Sequence, residues 1–480
     1  MSQAKRPNVL LLVADQWRGD CLGIAGHPEV KTPYLDALAI QGARFSRAYS
    51  AVPSCIAARA ALFTGMRPEH HGRVGYEDGV RWDYPNTLAG CFTRAGYQTQ
   101  CVGKMHVHPL RSRQGFEAVE LHDGYLHFNR SARIPRVYHQ HIADDYFYWM
   151  QGMGHKDVTD TGLQCNSYPA RPWVYEEALH PTNWVTDRAI DFLRRRDRSQ
   201  PFFLMASYVR PHPPYDPPEC YMRPYMTGAL SMPPVGEWAP EIGLSTHSGV
   251  HGVADRTLLQ QAMAGYYGCM THVDHQMGRL MEVLGTEGDL QNTIVMFVSD
   301  HGEMMGDHHY MRKSLPYEGS AHVPMILSGP GIPQGLVLDQ VMELSDVMPT
   351  LLQAAGLEIP DSVDGQSAMG LLNGQGKWRE FVHGEHSYGQ LSNHYIVSSR
   401  DKYVWFSQTG EEQYFDLVAD PQELRNLAGR PETAERVAIM RQALIEALSG
   451  REEGYVRDGR LMVGAQPKAI LSFLEDRKGF

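Results

Sequence analysis

The sequence predicts an α/β fold: a large, mixed but mostly parallel central sheet flanked by helices, followed by a smaller α+β unit with a short antiparallel sheet. Two observations predict it. First, short apolar runs recur and end in polar residues. NVLLLVAD ends at Asp15, YQTQCVGK leads to Lys104, PFFLMASYVRPH leads to His212, TIVMFVSDH ends at Asp300 and His301, and PMILSG follows near position 324. Between them lie helix-like stretches such as TPYLDALAIQGARF and PTNWVTDRAIDFLRRR. Buried strands alternating with amphipathic helices build parallel sheets, and ligands bind beyond the carboxyl ends of such strands. The polar residues just named all fall there, which points to a single active site. Second, the texture changes after about residue 375. NHYIVSSRDKYVWFS and EEQYFDL alternate like antiparallel strands joined by QTG, and DPQELRNLAG and a helix, PETAERVAIMRQALIEAL, follow. The expected units are residues 1–375 and 376–480.

With 480 residues the chain exceeds one typical domain, which suits a large core with a smaller appended unit. A net charge of −11 argues against non-specific nucleic-acid binding, so positive charge for an anionic substrate has to be concentrated locally. Seven cysteines, an odd number at wide spacings with no C-x-x-C pair, fit reduced thiols in the cytoplasm. The N-terminus lacks a signal-peptide layout, and no run reaches the roughly 20 apolar residues of a membrane span. The expectation is a cytoplasmic protein with no membrane partner. Residues 110–180 and 213–255, rich in Pro, Gly, His and aromatics, read as long loops shaping a pocket mouth.

In AVPSCIAARAALFTG, a helix starting near Cys55 puts Cys55 and Arg59 one turn apart on one face. Its N-terminus offers unpaired N–H groups and partial positive charge, so an anion there meets backbone donors and a guanidinium together. Asp15-Gln16 and Asp300-His301 each end an apparent strand. Two carboxylates, with a carbonyl or imidazole neighbour and an oxygen from a modified Cys55, make a site for a hard cation.

These segments together resemble the sulfatase family of the alkaline phosphatase superfamily. SCIAARAALFTG resembles the first signature, Cys-x-Pro/Ala-x-Arg, with Ala57 where most members carry proline. FVSDHGEMMGDHHYMRK resembles the second, CVGKMHVH the Gly-Lys-x-His segment, and YVRPHPPY the Pro-His-x-Pro loop. YFDLVADPQELRNLA looks like the C-terminal region of the family.

The resemblance implies an alkaline-phosphatase-like fold and hydrolysis of a sulfate ester of a sugar, an aryl alcohol or a small alcohol. It implies conversion of Cys55 to formylglycine by a maturation enzyme. One oxygen of the hydrated aldehyde attacks sulfur, and deprotonation of the other expels sulfate. Asp15, Gln16, Asp300 and His301, with residue 55, are implied as ligands of one divalent metal, Ca2+ first, with Mg2+ or Mn2+ open. Lys104 and Lys313 are implied to bind sulfate oxygens, Arg59 to contact the anion, His106 to act as base in release, and His212 to protonate the leaving oxygen. His309, Tyr317, His386 and His394 are weaker candidates for substrate contact. The alternative is a phosphonate monoester or phosphodiester hydrolase on the same scaffold, against which the Lys104-x-His106 pair speaks. The remote alternative is a binding relative with unmodified Cys55. A homo-oligomer is compatible with the sequence.

Overall fold

The computed structural model describes residues 6–124, 144–155, 162–241, 243–246 and 249–478. Nine strands form the central sheet: β1 (Asn8–Asp15), β2 (Gly42–Tyr49), β3 (Gln98–Gly103), β4 (Ala118–Leu121), β5 (Phe202–Pro211), β6 (Thr293–Ser299), β7 (His322–Ser328), β8 (Leu336–Leu338) and β9 (Met342–Glu343). Their order is β4-β3-β5-β1-β6-β7-β2-β8, with β9 also on β2. All pairings are parallel except those of β7 with β6 and with β2. The sheet is therefore mixed and mostly parallel, as the alternating runs predict.

Strand β1 explains why these sequences become strands. All eight residues of NVLLLVAD are buried, because it sits between two parallel neighbours with both faces covered. Leu10 and Leu12 enter one hydrophobic cluster and Val9, Leu11 and Val13 the other, following the two-residue period of a strand. The first cluster is covered by the long helix Arg256–Thr286 and by Pro181–Arg195. The second contains the helix Cys55–Thr64, whose ten residues are all buried.

One expectation needs correction. TPYLDALAIQGARF reads as one helix, but the helix stops at Ile40 and GARF opens β2. Gly42 lies so close to β7 that a Cβ there would come within 2.2 Å of the Leu327 carbonyl oxygen. Strand pairing that only glycine permits overrides the helical pattern.

The stretches expected to be loops also carry structure: β4, the helix Asp145–Gly152, a single turn at Glu177–Leu179 and the helix Glu219–Met226. Part of that expectation, at residues 125–143, 156–161, 242 and 247–248, lies outside the described residues.

Beyond the central sheet, β10 (Val382–His386), β11 (Asn393–Val397), β12 (Asp401–Phe406) and β13 (Glu412–Asp416) form an antiparallel meander. The helix Ala434–Leu448 packs on it through Val437, Met440, Leu444 and Leu448. Cys21, Cys55, Cys91, Cys101, Cys220 and Cys269 are free thiols. Among the described residues no helix is long and apolar enough to cross a membrane.

Candidate active site

The topology assembles the site at one edge of the sheet. Strands β3, β5, β1 and β6 are parallel neighbours, so Lys104, His212, Asp15 and Asp300, each at or just past a strand's last residue, emerge side by side. The register pairs Ala14 with Ser299, which brings Asp15 and Asp300 together. Cys55 opens its helix shortly after β2 ends at the same edge, and Lys313 lies in the segment between β6 and β7.

The thiol of Cys55 is at the centre. Its Sγ lies 3.1 Å from His301 Nε2 and 3.7 Å from Asp15 Oδ1. Ligand atoms of Asp15, Cys55, Asp300 and His301 all fall within 4.8 Å of one another, and the four residues are buried. His301 Nδ1 faces the Gly302 carbonyl at 2.9 Å. Donation there leaves the Nε2 lone pair directed at the cluster. Gln16 donates its backbone N–H to Asp300 Oδ1 and accepts from Lys313 Nζ through its amide oxygen. Two carboxylates, an imidazole nitrogen and the residue-55 side chain converging on one point fit a divalent cation.

Buried charge is balanced locally. Burial alone would raise the Asp15 carboxyl, but Lys104, then His212, His301 and Arg59, hold it well below the usual carboxylate range. Lys104 Nζ donates to Asp15 Oδ2. Burial and Asp15 push the Cys55 thiol up, yet Lys104, Lys313 and His301 more than offset them, and the thiol lies below its ordinary value. Burial, reinforced by Lys313, holds the His212 imidazole well below its usual range. Its Nδ1 lies 2.9 Å from the Pro213 carbonyl oxygen.

Backbone geometry is unusual at the same places. Gln16 has φ 70° and His106 φ 57°, left-handed values uncommon outside glycine and concentrated at functional sites. Asp123 accepts the N–H groups of Met105 and His106 at 2.8 and 3.0 Å and so fixes that turn. At Gly103, φ is 96°, and a Cβ would come within 2.0 Å of the Ser207 carbonyl oxygen. Glycine alone lets β3 hand the chain to Lys104 there.

A pocket of about 670 Å³ opens above Cys55, lined among others by Ser54, Tyr76, His106, His212, Lys313 and His386. Both ring nitrogens of His106 and of His386 are buried and have no hydrogen-bond partner.

Several expected placements differ. Arg59 is fully buried and lies beneath the cluster rather than on the pocket wall. Its Nε donates to Asp300 at 2.9 Å and its Nη1 to the Lys104 carbonyl at 2.7 Å and to Ser207 Oγ at 3.0 Å. These contacts tie it to the residues under the cluster, and it is not among the pocket-lining side chains. Three of the weaker candidates point elsewhere. Tyr317 is buried against Trp238 and Tyr310 and donates to Gln413. His394 stacks on Trp405 beside Glu385. His309 is outside the pocket lining, its carbonyl accepting from Gly252.

Sequence reasoning missed Glu303, which accepts from the Gln16 amide and from the Met305 and Arg312 N–H groups. It also missed Tyr76, Asn166, Arg312 and Tyr388 in the pocket lining. Glu303 belongs to the Asp-His-Gly-Glu run, which was a usable signal. Arg312 lies in the same signature, one residue before Lys313, while Tyr76, Asn166 and Tyr388 sit outside the quoted signatures.

The sulfatase family model matches residues 7–357. This chain belongs to the sulfatase family. A second match, to the N-sulphoglucosamine sulphohydrolase C-terminal family, spans residues 306–449. An arylsulfatase of Clostridium perfringens is 52% identical over 470 residues, 96% of this chain and 98% of that one. The multifunctional alkaline phosphatase superfamily protein PehA of Trinickia caryophylli is 30% identical over 507 residues, 93% of this chain and 95% of that one. Among solved structures, the phosphonate monoester hydrolase of Agrobacterium radiobacter superposes with TM-score 0.74 at 29% identity, covering 92% of this chain and 95% of that one. The sulfatase described here is a sulfuric ester hydrolase of the alkaline phosphatase superfamily, and the mixed sheet with its small antiparallel companion is that fold.

Proposed function

We propose that this sulfatase hydrolyses the sulfate ester of a sugar, an aryl alcohol or a small alcohol through a formylglycine at position 55. Asp15, Gln16, Asp300 and His301 would hold one divalent ion, Ca2+ in first place because most donors are oxygens. The observation that carries the reading is the Cys55 thiol, 3.1 Å from His301 Nε2 and within the four-residue cluster, at the floor of a pocket lined by Lys313 and His212. A bound dication would acidify the hydrated aldehyde and polarise a sulfate oxygen.

Placement supports the remaining roles. Lys313 lines the pocket and already donates to Gln16, so its ammonium is positioned for an anionic oxygen entering beside the cluster. Lys104 is fully buried against Asp15 and adds charge from below. His106 has both ring nitrogens uncommitted at the pocket, which suits a base for the release step. His212 donates Nδ1–H to Pro213, so its Nε2 must gain a proton before it can act as an acid; the charge of a bound sulfate favours that.

Cys55 is 2% exposed and embedded in a buried helix, so a maturation enzyme would have to act before the chain folds around it. A cytoplasmic location is part of the proposal, supported by the free thiols of Cys21, Cys55, Cys91, Cys101, Cys220 and Cys269. Peptide mass spectrometry across Ser54–Arg59 tests the reading. Loss of about 18 Da at Cys55 marks replacement of the thiol by an aldehyde. Full conversion with turnover of p-nitrophenyl phenylphosphonate, a phosphonate monoester, in preference to p-nitrophenyl sulfate would favour the phosphonate hydrolase alternative instead.

A further inference from the structure

The pocket above Cys55 has a wall that comes from the C-terminal sheet. Strand β10 is an edge strand of the order β10-β11-β12-β13, and its free edge is zipped to the chain around the active site. Glu385 N donates to the Ala51 carbonyl at 2.7 Å, and Ser387 N donates to the Val74 carbonyl at 2.9 Å. Ala51 lies four residues before Cys55, and Val74 two before Tyr76. His386 sits between these two bonds. Its side chain leaves the strand on the face opposite to Glu385, whose carboxylate is gripped at both oxygens by Arg451 at 2.8 and 3.0 Å. The strand is thus fixed on both sides, and His386 is delivered into the pocket with little freedom.

His386 is 2% exposed, lines the pocket, and has no hydrogen-bond partner at either ring nitrogen. Burying an imidazole without partners is costly, so a partner has to come from what fills the pocket. Burial outweighs the opposing pull of the nearby Ser387 backbone and holds its pKa at about 4, and a neutral imidazole presents one donor and one acceptor. A hydroxyl complements that pair; a carboxylate cannot donate and an ammonium cannot accept. Tyr388 stands perpendicular to His386 at 6.0 Å, and Tyr76 stands near His106 at 6.3 Å, so aromatic rings accompany both uncommitted histidines.

We propose that His386, with Tyr388, forms a leaving-group subsite in which the imidazole hydrogen-bonds a hydroxyl of the alcohol that carries the sulfate, making the substrate a carbohydrate or similar polyol sulfate. The proposal rests on the sulfatase reading of the Cys55 site.

The test uses the mature enzyme carrying formylglycine. Wild type is assayed with p-nitrophenyl sulfate, a panel of hexose monosulfates and cyclohexylmethyl sulfate, a ring of hexose size without hydroxyls. Wild type should turn over at least one hexose monosulfate with kcat/KM about a hundredfold above that of cyclohexylmethyl sulfate. His386→Ala should lose at least about tenfold more kcat/KM on that hexose sulfate than on p-nitrophenyl sulfate, chiefly through KM, and His386→Gln should recover part of the loss. Equal loss on both substrates overturns the subsite, as does equal wild-type turnover of the hexose and cyclohexylmethyl sulfates, an arm that needs no variant. Fully converted wild type that hydrolyses none of the sulfates sinks the underlying reading of the Cys55 site. Hydrolysis of p-nitrophenyl sulfate without any hexose sulfate sinks only the subsite.

Discussion

The carboxylate of Glu303 accepts a hydrogen bond from the Gln16 amide nitrogen, and this contact leaves the Gln16 amide oxygen facing Lys313. An amide has two faces, and Glu303 as acceptor and Lys313 as donor together select one of them, so losing the Glu303 charge loosens that choice. Glu303→Gln should therefore weaken divalent-metal affinity by about 10- to 100-fold, the usual scale for a partner that orients a ligand. Metal content after dialysis against a buffered chelator measures it. Wild-type retention of metal would mean that Gln16 is oriented some other way.

The Cys55 side chain has little packing to lose, because the rest of its helix is buried through Ile56, Ala58, Leu62 and Phe63. Cys55→Ala should abolish turnover of every sulfate ester while shifting Tm by no more than about 3 °C. Differential scanning calorimetry beside a discontinuous sulfate-release assay reads both. Near-normal activity in this variant would end the formylglycine mechanism.

For Arg59 the expected loss is of a different kind. The guanidinium is enclosed by Asp300, the Lys104 carbonyl and Ser207, and its Nη2 lies 3.9 Å from Asp15. Removing one partner of a buried pair leaves uncompensated charge, at a cost of about 3–5 kcal/mol. Arg59→Ala should lower the urea midpoint as well as activity. A variant of unchanged stability and no activity would point to direct contact with substrate.

The contrast between Arg59 and Asp300 shows how far the sequence reaches. Strand ends were legible because apolar runs closing in Asp15, Lys104, His212 and Asp300 report the parallel core directly, and the four positions do share one sheet edge. What a side chain touches was less legible. A Cys-x-x-x-Arg spacing puts two residues on one helix face but does not say that the helix is buried on every side. Residues delivered by irregular or distant segments, such as Tyr76 and Asn166, carry no periodic signal at all. Tyr317 and His394 looked polar and available in sequence, yet packing against Trp238 and Trp405 consumes them.

The C-terminal sheet should also show an acid sensitivity of its own. Burial would raise the Glu385 carboxyl, but Arg451 outweighs it and lowers the pKa to about 2. A folded-state value below the unfolded one stabilises the protein above the unfolded pKa of 4.5, and that contribution drains away as pH falls toward 2. Its size is about 3 kcal/mol. Burial, partly opposed by Glu385, lowers His394 to about 3, so the unfolded chain takes up that proton first and stability also declines as pH drops below 6.5. Tm should therefore fall in two windows. His394→Phe, which can keep the stack on Trp405, should flatten the decline between pH 6.5 and 4.5. Glu385→Gln should start lower at neutral pH, and its gap from wild type should close as pH approaches 2. Parallel Tm curves for wild type and Glu385→Gln across that range would show that the Arg451 pair is not what acid dismantles. Because β10 carries His386 into the pocket, the same titration should blunt activity on hydroxylated substrates before the central sheet yields.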